Sequence, residues 1–114
     1  MLKVVQINLQ HSRAASAALH TTLDEGFYDV ALIQEPWIDL NGNIKGLASR
    51  THNLFHNPAE GKKRTAILVR KNLNAFLIPK FSSMDLTAMV LRDKYGKSLL
   101  IASSYMPHDS EAPP

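Results

Sequence analysis

Cysteine is absent from the 114-residue chain, and its absence excludes several classes of protein. No disulfide scaffold, Cys-ligated zinc site, iron–sulfur cluster or cysteine nucleophile can form. The five glycines are scattered, so there is no glycine-rich phosphate loop and nucleotide-dependent phosphoryl transfer is disfavoured. No apolar run approaches the roughly 18 residues that a membrane span needs. The chain becomes polar at Gln6, too early for a secretory signal, so we expect an intracellular protein.

What remains is the composition of a folded domain. Hydrophobic residues make up 45% of the chain and charged residues 20%, with a formal net charge of +3. These values are not those of a disordered chain, and the length fits one domain or less. The sequence pI of about 9.3 is compatible with a phosphate-rich partner. The densest basic run, Lys62-Lys63-Arg64, indicates either a solvated loop or a patch that contacts phosphates.

The apolar segments predict a strand–helix–strand unit at the start of the chain. Residues 2–9 are rich in β-branched side chains and contain no glycine or proline, which is typical of a strand. A helix over 12–25 follows, because apolar residues recur at helical spacing between a Ser12 N-cap and Gly26. The apolar run 30–33 predicts the second strand. The two strands of such a unit lie parallel, joined by a right-handed crossover.

Five further strands are predicted beyond this unit. They lie at 51–57, 65–71, 75–79, 85–93 and 98–105, with a hairpin turn at 94–97. Three apolar runs, 30–33, 66–69 and 99–102, have no polar face and need cover on both sides. The one predicted helix can cover only part of one sheet face. We therefore expect the other face to lack a partner within this chain. Loop residues such as Trp37 and Leu47 are the alternative cover.

Polar residues stand at the ends of three predicted strands. Asn8 ends the first, Glu35 follows the second and Tyr105 ends the last. Ligands of α/β sheets bind at the carboxyl ends of strands, so Asn8 and Glu35 are expected to approach each other. A carboxylate beside an amide suits Mg²⁺, which takes one or two protein carboxylates together with waters and a substrate phosphate. For any one of the three residues, a polar strand end that simply meets water is the alternative.

Four segments of the chain resemble the endonuclease/exonuclease/phosphatase family of divalent-metal phosphodiesterases, in its apurinic-endonuclease-like branch. They are residues 5–15, 28–37, 64–69 and 103–110, so the resemblance spans nearly the whole chain. The Gln-Glu-Pro strand end and its distance from the asparagine strand carry most of the specificity. Within the family, the segments are most similar to the endonuclease domain at the start of non-long-terminal-repeat retrotransposon polyproteins.

The resemblance implies a fold and a role for each matching residue. The fold would be the N-terminal half of a four-layer α/β sandwich, a mixed β-sheet with one main helix at 12–25, and residues 1–114 would form a partial domain. Glu35 matches the metal-binding glutamate, and Asn8 matches the asparagine that supports this glutamate and the metal. Tyr105 matches the tyrosine near the scissile phosphate.

The resemblance also implies a cofactor and a partner. The cofactor would be Mg²⁺ or Mn²⁺, and the partner would be DNA. A nuclear location would follow if the chain acts as a retrotransposon endonuclease. His108 stands where many relatives carry asparagine and receives no role. The candidate DNA contacts are the basic residues Arg13, Lys62, Lys63 and Arg64.

The sequence departs from the family pattern after Tyr105, where no Asp-x-Asn segment follows. The family's second half supplies that segment and an Asp/His pair, so the isolated chain would lack general acid–base assistance worth roughly 10²–10⁴-fold and be inactive. We expect the missing half to supply the second sheet, and the chain to pair with it or to self-associate. Two other functions stay open: a non-catalytic remnant that binds nucleic acid or a protein, and a phosphatase acting on small phosphoesters.

Overall fold

A helix and two sheets form three layers in the computed structural model, which describes residues 2–58, 62–83 and 85–105. The predicted order of strands and helix and the mixed α/β class are confirmed. Among the described residues, no helix is long and apolar enough to cross a membrane. The elements are β1 (Val4–Asn8), α1 (Arg13–Asp24), β2 (Val30–Gln34), β3 (His52–Phe55), β4 (Thr65–Arg70), β5 (Asn74–Leu77), a 3₁₀ turn (Pro79–Phe81), β6 (Leu86–Arg92) and β7 (Ser98–Ser104).

The first sheet has the order β1-β2-β4-β3 and contains the predicted parallel pair. β1 and β2 are parallel, with Asn8 opposite Gln34, whereas β4 runs antiparallel to both of its neighbours. The crossover helix begins where predicted, since the Ser12 hydroxyl accepts the Ala15 N–H at 3.1 Å. It ends before Gly26, whose φ of +83° is available to glycine at little cost. The carboxyl ends of β1 and β2 therefore lie side by side.

Helix α1 covers one face of the first sheet. Leu19 and Leu23 are buried there together with Leu9, Ile33 and Leu47. The loop that follows β2 contributes to the cover of this same face through Leu47, whereas the alternative from the sequence had Leu47 cover the opposite face. The helix alone would leave part of this face open, because its buried residues form a single stripe.

The second sheet, of order β5-β6-β7, covers the opposite face of the first sheet. Val30, Ile67 and Val69 of the first sheet pack against Met89 and Leu91 of the second. The prediction that this face lacks a partner in the chain is therefore wrong, as is the expectation that another half must supply the second sheet. The runs at β2 and β4 are apolar on both faces because they lie between a helix and a sheet of the same chain.

An uncovered apolar face does exist, on the outer side of the second sheet. Phe76, Val90 and Leu100 lie in one cross-strand row by register, and paired residues of antiparallel strands point to the same side. Phe76 is 54% exposed and Leu100 is 64% exposed. Of the three apolar runs expected to lack cover on one face, 30–33 and 66–69 are buried and 99–102 is exposed, because β7 belongs to the second sheet.

Candidate functional site

The backbone is strained where β1 and β2 end. Gln10, His11 and Glu35 have φ values of +51°, +56° and +49°, in the left-handed region, and none of them is glycine or asparagine. Each such residue costs of order 1–3 kcal/mol and persists only where surrounding contacts hold it. Strain of this kind clusters at ligand and active sites. These carboxyl ends are therefore the first place to look for function.

Backbone hydrogen bonds hold Glu35 from both sides. Its N–H donates to the Arg64 carbonyl at 2.9 Å, and its carbonyl accepts the His11 N–H at 2.8 Å. The loop after β1 is fixed in turn by Asn8, whose Oδ1 accepts the Gln10 N–H at 2.8 Å. The left-handed conformation of Glu35 is therefore imposed by Arg64, just before β4, and by the β1–α1 loop together.

The Glu35 carboxylate is half-buried and makes no hydrogen bond or ion pair with any described residue. Asn8 is exposed one strand away, and its amide oxygen keeps a second lone pair beyond the turn that it stabilises. The structure thus places the two predicted residues on adjacent strand ends. A half-buried carboxylate that no protein group satisfies is suited to binding a cation or a proton donor.

Tyr105 reaches the same region through Arg64. The Arg64 guanidinium carbon lies 5.8 Å from the centre of the Tyr105 ring, while its Nη1 donates to Asp85 at 2.9 Å. The Tyr105 N–H donates to the Asp85 carbonyl at 2.8 Å. One arginine therefore contacts Tyr105 by its side chain and Glu35 by its carbonyl. Residues 106–110, with His108 and the rest of the Tyr-x-Pro motif, lie outside the described residues.

A buried polar layer joins the two sheets beside this site, and the sequence analysis did not find it. Gln34 Nε2 donates to Ser103 Oγ at 2.8 Å, and that hydroxyl donates to the Ile33 carbonyl at 2.7 Å. The Thr65 and Thr87 hydroxyls lie 2.8 Å apart. A signal was available, because Thr87 stands two residues before Met89 on the inward face of β6. We call Gln34, Thr65, Thr87 and Ser103 the inter-sheet polar layer.

The candidate DNA contacts differ in how much charge they expose. Arg13 is exposed and lies 5.7 Å from the centre of the Trp37 ring, and Lys62 is also exposed. Arg64 shares its charge with Asp85. Lys63 is only 8% exposed, which leaves little of its side chain for a phosphate. Of the four candidate residues, Arg13 and Lys62 are therefore the exposed ones.

The loop after Glu35 is an ordered hairpin. Ile38 and Ile44 form a β-bridge, and the Lys45 N–H donates to the Trp37 carbonyl at 2.8 Å. At Gly46, where φ is +78°, an added Cβ would lie 3.0 Å from Trp37 Cε3, so only glycine fits without a shift. Trp37 is thus fixed between Gly46 and the Arg13 guanidinium, next to the candidate site.

The donor set is poor for a transition metal and adequate for a hard cation. Within the described ranges, no three His, Cys, Asp or Glu side chains group to hold a metal ion. These strand ends offer the Glu35 carboxylate and the Asn8 amide oxygen, both of the kind that a hard cation binds. Mg²⁺ often takes one or two protein carboxylates and completes its octahedron with waters and substrate phosphate. The residues present fit that pattern of binding.

Comparison with known proteins identifies the fold. No protein family and no curated protein matches the sequence. The structure is similar to that of the "Endonuclease domain of TRAS1, a telomere-specific non-LTR retrotransposon", with a TM-score of 0.71 and 23% sequence identity. The match covers 96% of this chain and 47% of that chain, so this chain spans about half the length of the solved structure.

Proposed function

We propose that the chain is the N-terminal part of a divalent-metal-dependent phosphodiesterase, a DNA endonuclease of the retrotransposon type. One observation carries the proposal. On a fold shared with an endonuclease domain, the half-buried Glu35 carboxylate has no partner among the described residues and is held by a strained backbone. Asn8 and Tyr105, the other two residues expected from the sequence, belong to the same end of the sheets.

Each residue has a distinct part in this proposal. Glu35 and Asn8 bind Mg²⁺ or Mn²⁺, which when bound neutralises charge that develops on a phosphate during hydrolysis. Tyr105 steadies a phosphate oxygen, and its ring is oriented by contact with Arg64. Arg13 and Lys62 attract the DNA backbone, and this contribution weakens as salt is added. We propose no residue of this chain as the general acid or the general base.

A plasmid-nicking assay tests the proposal on a protein that extends the chain to the length of a whole endonuclease domain. Mg²⁺-dependent nicking is expected, with Glu35→Gln lowering the rate by roughly 100-fold or more. Glu25→Gln makes the same change in charge at an exposed position and is expected to leave the rate unchanged. Nicking that persists in Glu35→Gln would remove the metal assignment. The 114-residue chain alone is expected to be inactive.

The exposed apolar row favours a second proposal, about partners. Phe76, Val90 and Leu100 form the uncovered outer face of the second sheet, and the chain matches only 47% of the solved endonuclease domain. We propose that the rest of such a domain packs on this face. Without that segment, the face drives self-association of the chain, because exposed apolar patches of this kind seek cover. A non-catalytic binding module would use the same surface.

Sedimentation of the 114-residue chain tests the outer face. The parent chain is expected to form oligomers, and Leu100→Ser to shift the population toward monomer. Leu40→Ser is the matched control, since Leu40 is 105% exposed but belongs to the hairpin after Glu35 rather than to this row. A parent chain that stays monomeric at working concentration would contradict this proposal and leave the metal site unaffected.

A further inference from the structure

His11 donates hydrogen bonds to two consecutive carbonyl groups of the segment that carries Glu35. Its N–H lies 2.8 Å from the Glu35 oxygen, and its Nδ1 lies 2.9 Å from the Pro36 oxygen. A carbonyl oxygen only accepts, so Nδ1 carries the proton in this arrangement. The Leu9 N–H adds a bond of 2.9 Å to the Gln34 carbonyl. Residues 9 and 11 thus hold three successive carbonyls, those of residues 34, 35 and 36.

The side-chain bond of His11 reaches beyond Glu35 and therefore restrains its carboxyl-terminal side. The Arg64 carbonyl restrains the amino-terminal side by accepting the Glu35 N–H at 2.9 Å. Between these two restraints, Glu35 stays at a φ of +49°, which a glutamate does not adopt by preference. Without the Pro36 bond, the segment after Glu35 keeps only the bond from the His11 N–H to the Glu35 carbonyl, so we expect the direction of the Glu35 carboxylate to become less fixed.

We propose that His11 is a positioning residue, whose Nδ1–H bond to Pro36 holds the Glu35 carboxylate in the direction from which it binds a divalent cation. This inference rests on the proposed function of Glu35 as a metal ligand. Partners that orient a metal ligand commonly change metal affinity by 10–100-fold when they are replaced. Because the hydrogen bond to the Pro36 carbonyl provides the effect, a side chain with an amide donor in the same place should position Glu35 equally well.

Titration of the full 114-residue chain with Mn²⁺ tests the role of His11 without any need for catalysis. Paramagnetic broadening of the amide signals of Asn8 and Glu35 reports the affinity. We expect His11→Ala to weaken binding about 10-fold or more, and His11→Asn, whose Nδ2 replaces Nδ1, to stay within about threefold of the parent chain. His20→Ala, which removes a helix-surface histidine, is expected to change nothing.

The outcomes separate this inference from the proposed function. Loss of binding in Glu35→Gln, together with weak binding in His11→Ala and rescue in His11→Asn, supports both. If Glu35→Gln loses binding while His11→Ala keeps it, or if His11→Asn fails to rescue, His11 has no positioning role and the metal site stands. If Glu35→Gln binds as the parent does, both are overturned. If His11→Ala loses its folded circular-dichroism spectrum, His11→Gln is used in its place. The side-chain amide of glutamine matches Nε2 of histidine rather than Nδ1, so it should not replace the bond to Pro36.

Discussion

The two ends of the first sheet handle their charged groups in opposite ways. At the end away from the candidate site, Asp29 accepts from Arg70 Nε and from the Lys3 N–H, both at 2.9 Å. Arg70 also donates to the carbonyls of Gly26 and Tyr28. At the site end, the Glu35 carboxylate has no such partner among the described residues. The first end satisfies its charges with hydrogen bonds, whereas the second end has a half-buried carboxylate without a partner among the described residues and three left-handed residues.

The protonation of Asp29 shows the same contrast in electrostatic terms. Burial by itself raises the pKa of the Asp29 carboxyl, but the hydrogen bond from the Lys3 N–H and the bond and charge of Arg70 outweigh it. The net effect is a pKa of Asp29 below its ordinary value of 3.8. The folded protein therefore favours the ionised form at this end. Because the Asp29 carboxylate is already paired with Arg70, it is not available to bind a ligand.

Loss of the Arg70 side chain is expected to lower the stability of the fold more than any other change considered. Arg70→Ala removes three side-chain hydrogen bonds and leaves Asp29 without its cation. Stability is expected to fall by about 3 kcal/mol, measured by urea unfolding. Lys71→Ala is the control, because Lys71 is exposed and its loss should cost under about 0.5 kcal/mol. Equal losses in the two variants would show that the ion pair has no special part in stability.

The inter-sheet polar layer gives the next largest effect. Thr87→Val leaves the buried Thr65 hydroxyl without its partner at 2.8 Å, and should cost about 1–2 kcal/mol. Thr65→Val/Thr87→Val removes both hydroxyls, so its stability is expected to return close to that of the parent chain. Thermal unfolding of the two single variants and the double variant measures the coupling. Additive losses would mean that the two hydroxyls do not depend on each other.

Acid unfolding tests the lowered pKa of Asp29, with a smaller effect than the loss of Arg70. A carboxyl whose folded pKa lies below its unfolded pKa stabilises the fold above the unfolded value. That contribution is lost as pH falls below 3.8 toward the folded pKa. Asp29→Asn is therefore expected to flatten the dependence of stability on pH in this window. A parent and a variant with parallel pH profiles there would contradict the assignment.

A small gain in stability is expected from relieving the backbone at Glu35. Glu35→Gly relieves a φ of +49° and is expected to raise stability by about 0.5–1 kcal/mol while abolishing Mn²⁺ binding. Glu25→Gly makes the same substitution at a φ of −68° and should lower stability instead. Urea unfolding and the Mn²⁺ titration provide the measurements. If both glycine variants lose stability alike, the backbone at Glu35 stores no strain.

Features that depend on residues close together in the sequence could be predicted from it. The apolar runs gave β2 and β4, Ser12 and Gly26 bounded α1, and the parallel pairing followed from the strand–helix–strand order. Because that pairing brings strand ends together, the sequence alone was enough to place Asn8 and Glu35 at adjacent strand ends. These inferences need only local spacing and one topological rule.

Features set by contacts between distant residues could not be predicted. No glycine or asparagine marks the left-handed residues Gln10, His11 and Glu35, since the residue before β4 and the β1–α1 loop impose that conformation from outside. The apolar runs of β6 and β7 also look alike whether they join the first sheet or form a second one. Long-range contacts, such as the pairing of Thr87 with Thr65 and the packing of Met89 on Ile67, show on which layer β6 lies.

The close approach of Gly46 to Trp37 has a consequence for any library of variants of this protein. A saturation screen for folded protein would reject nearly every replacement at position 46, because a Cβ would lie 3.0 Å from the indole ring. At Glu35, by contrast, the same screen would favour glycine, which relieves the φ of +49°, whereas selection for the proposed cation binding would favour glutamate. Comparing the two screens would separate a steric requirement from a chemical one by genetics alone.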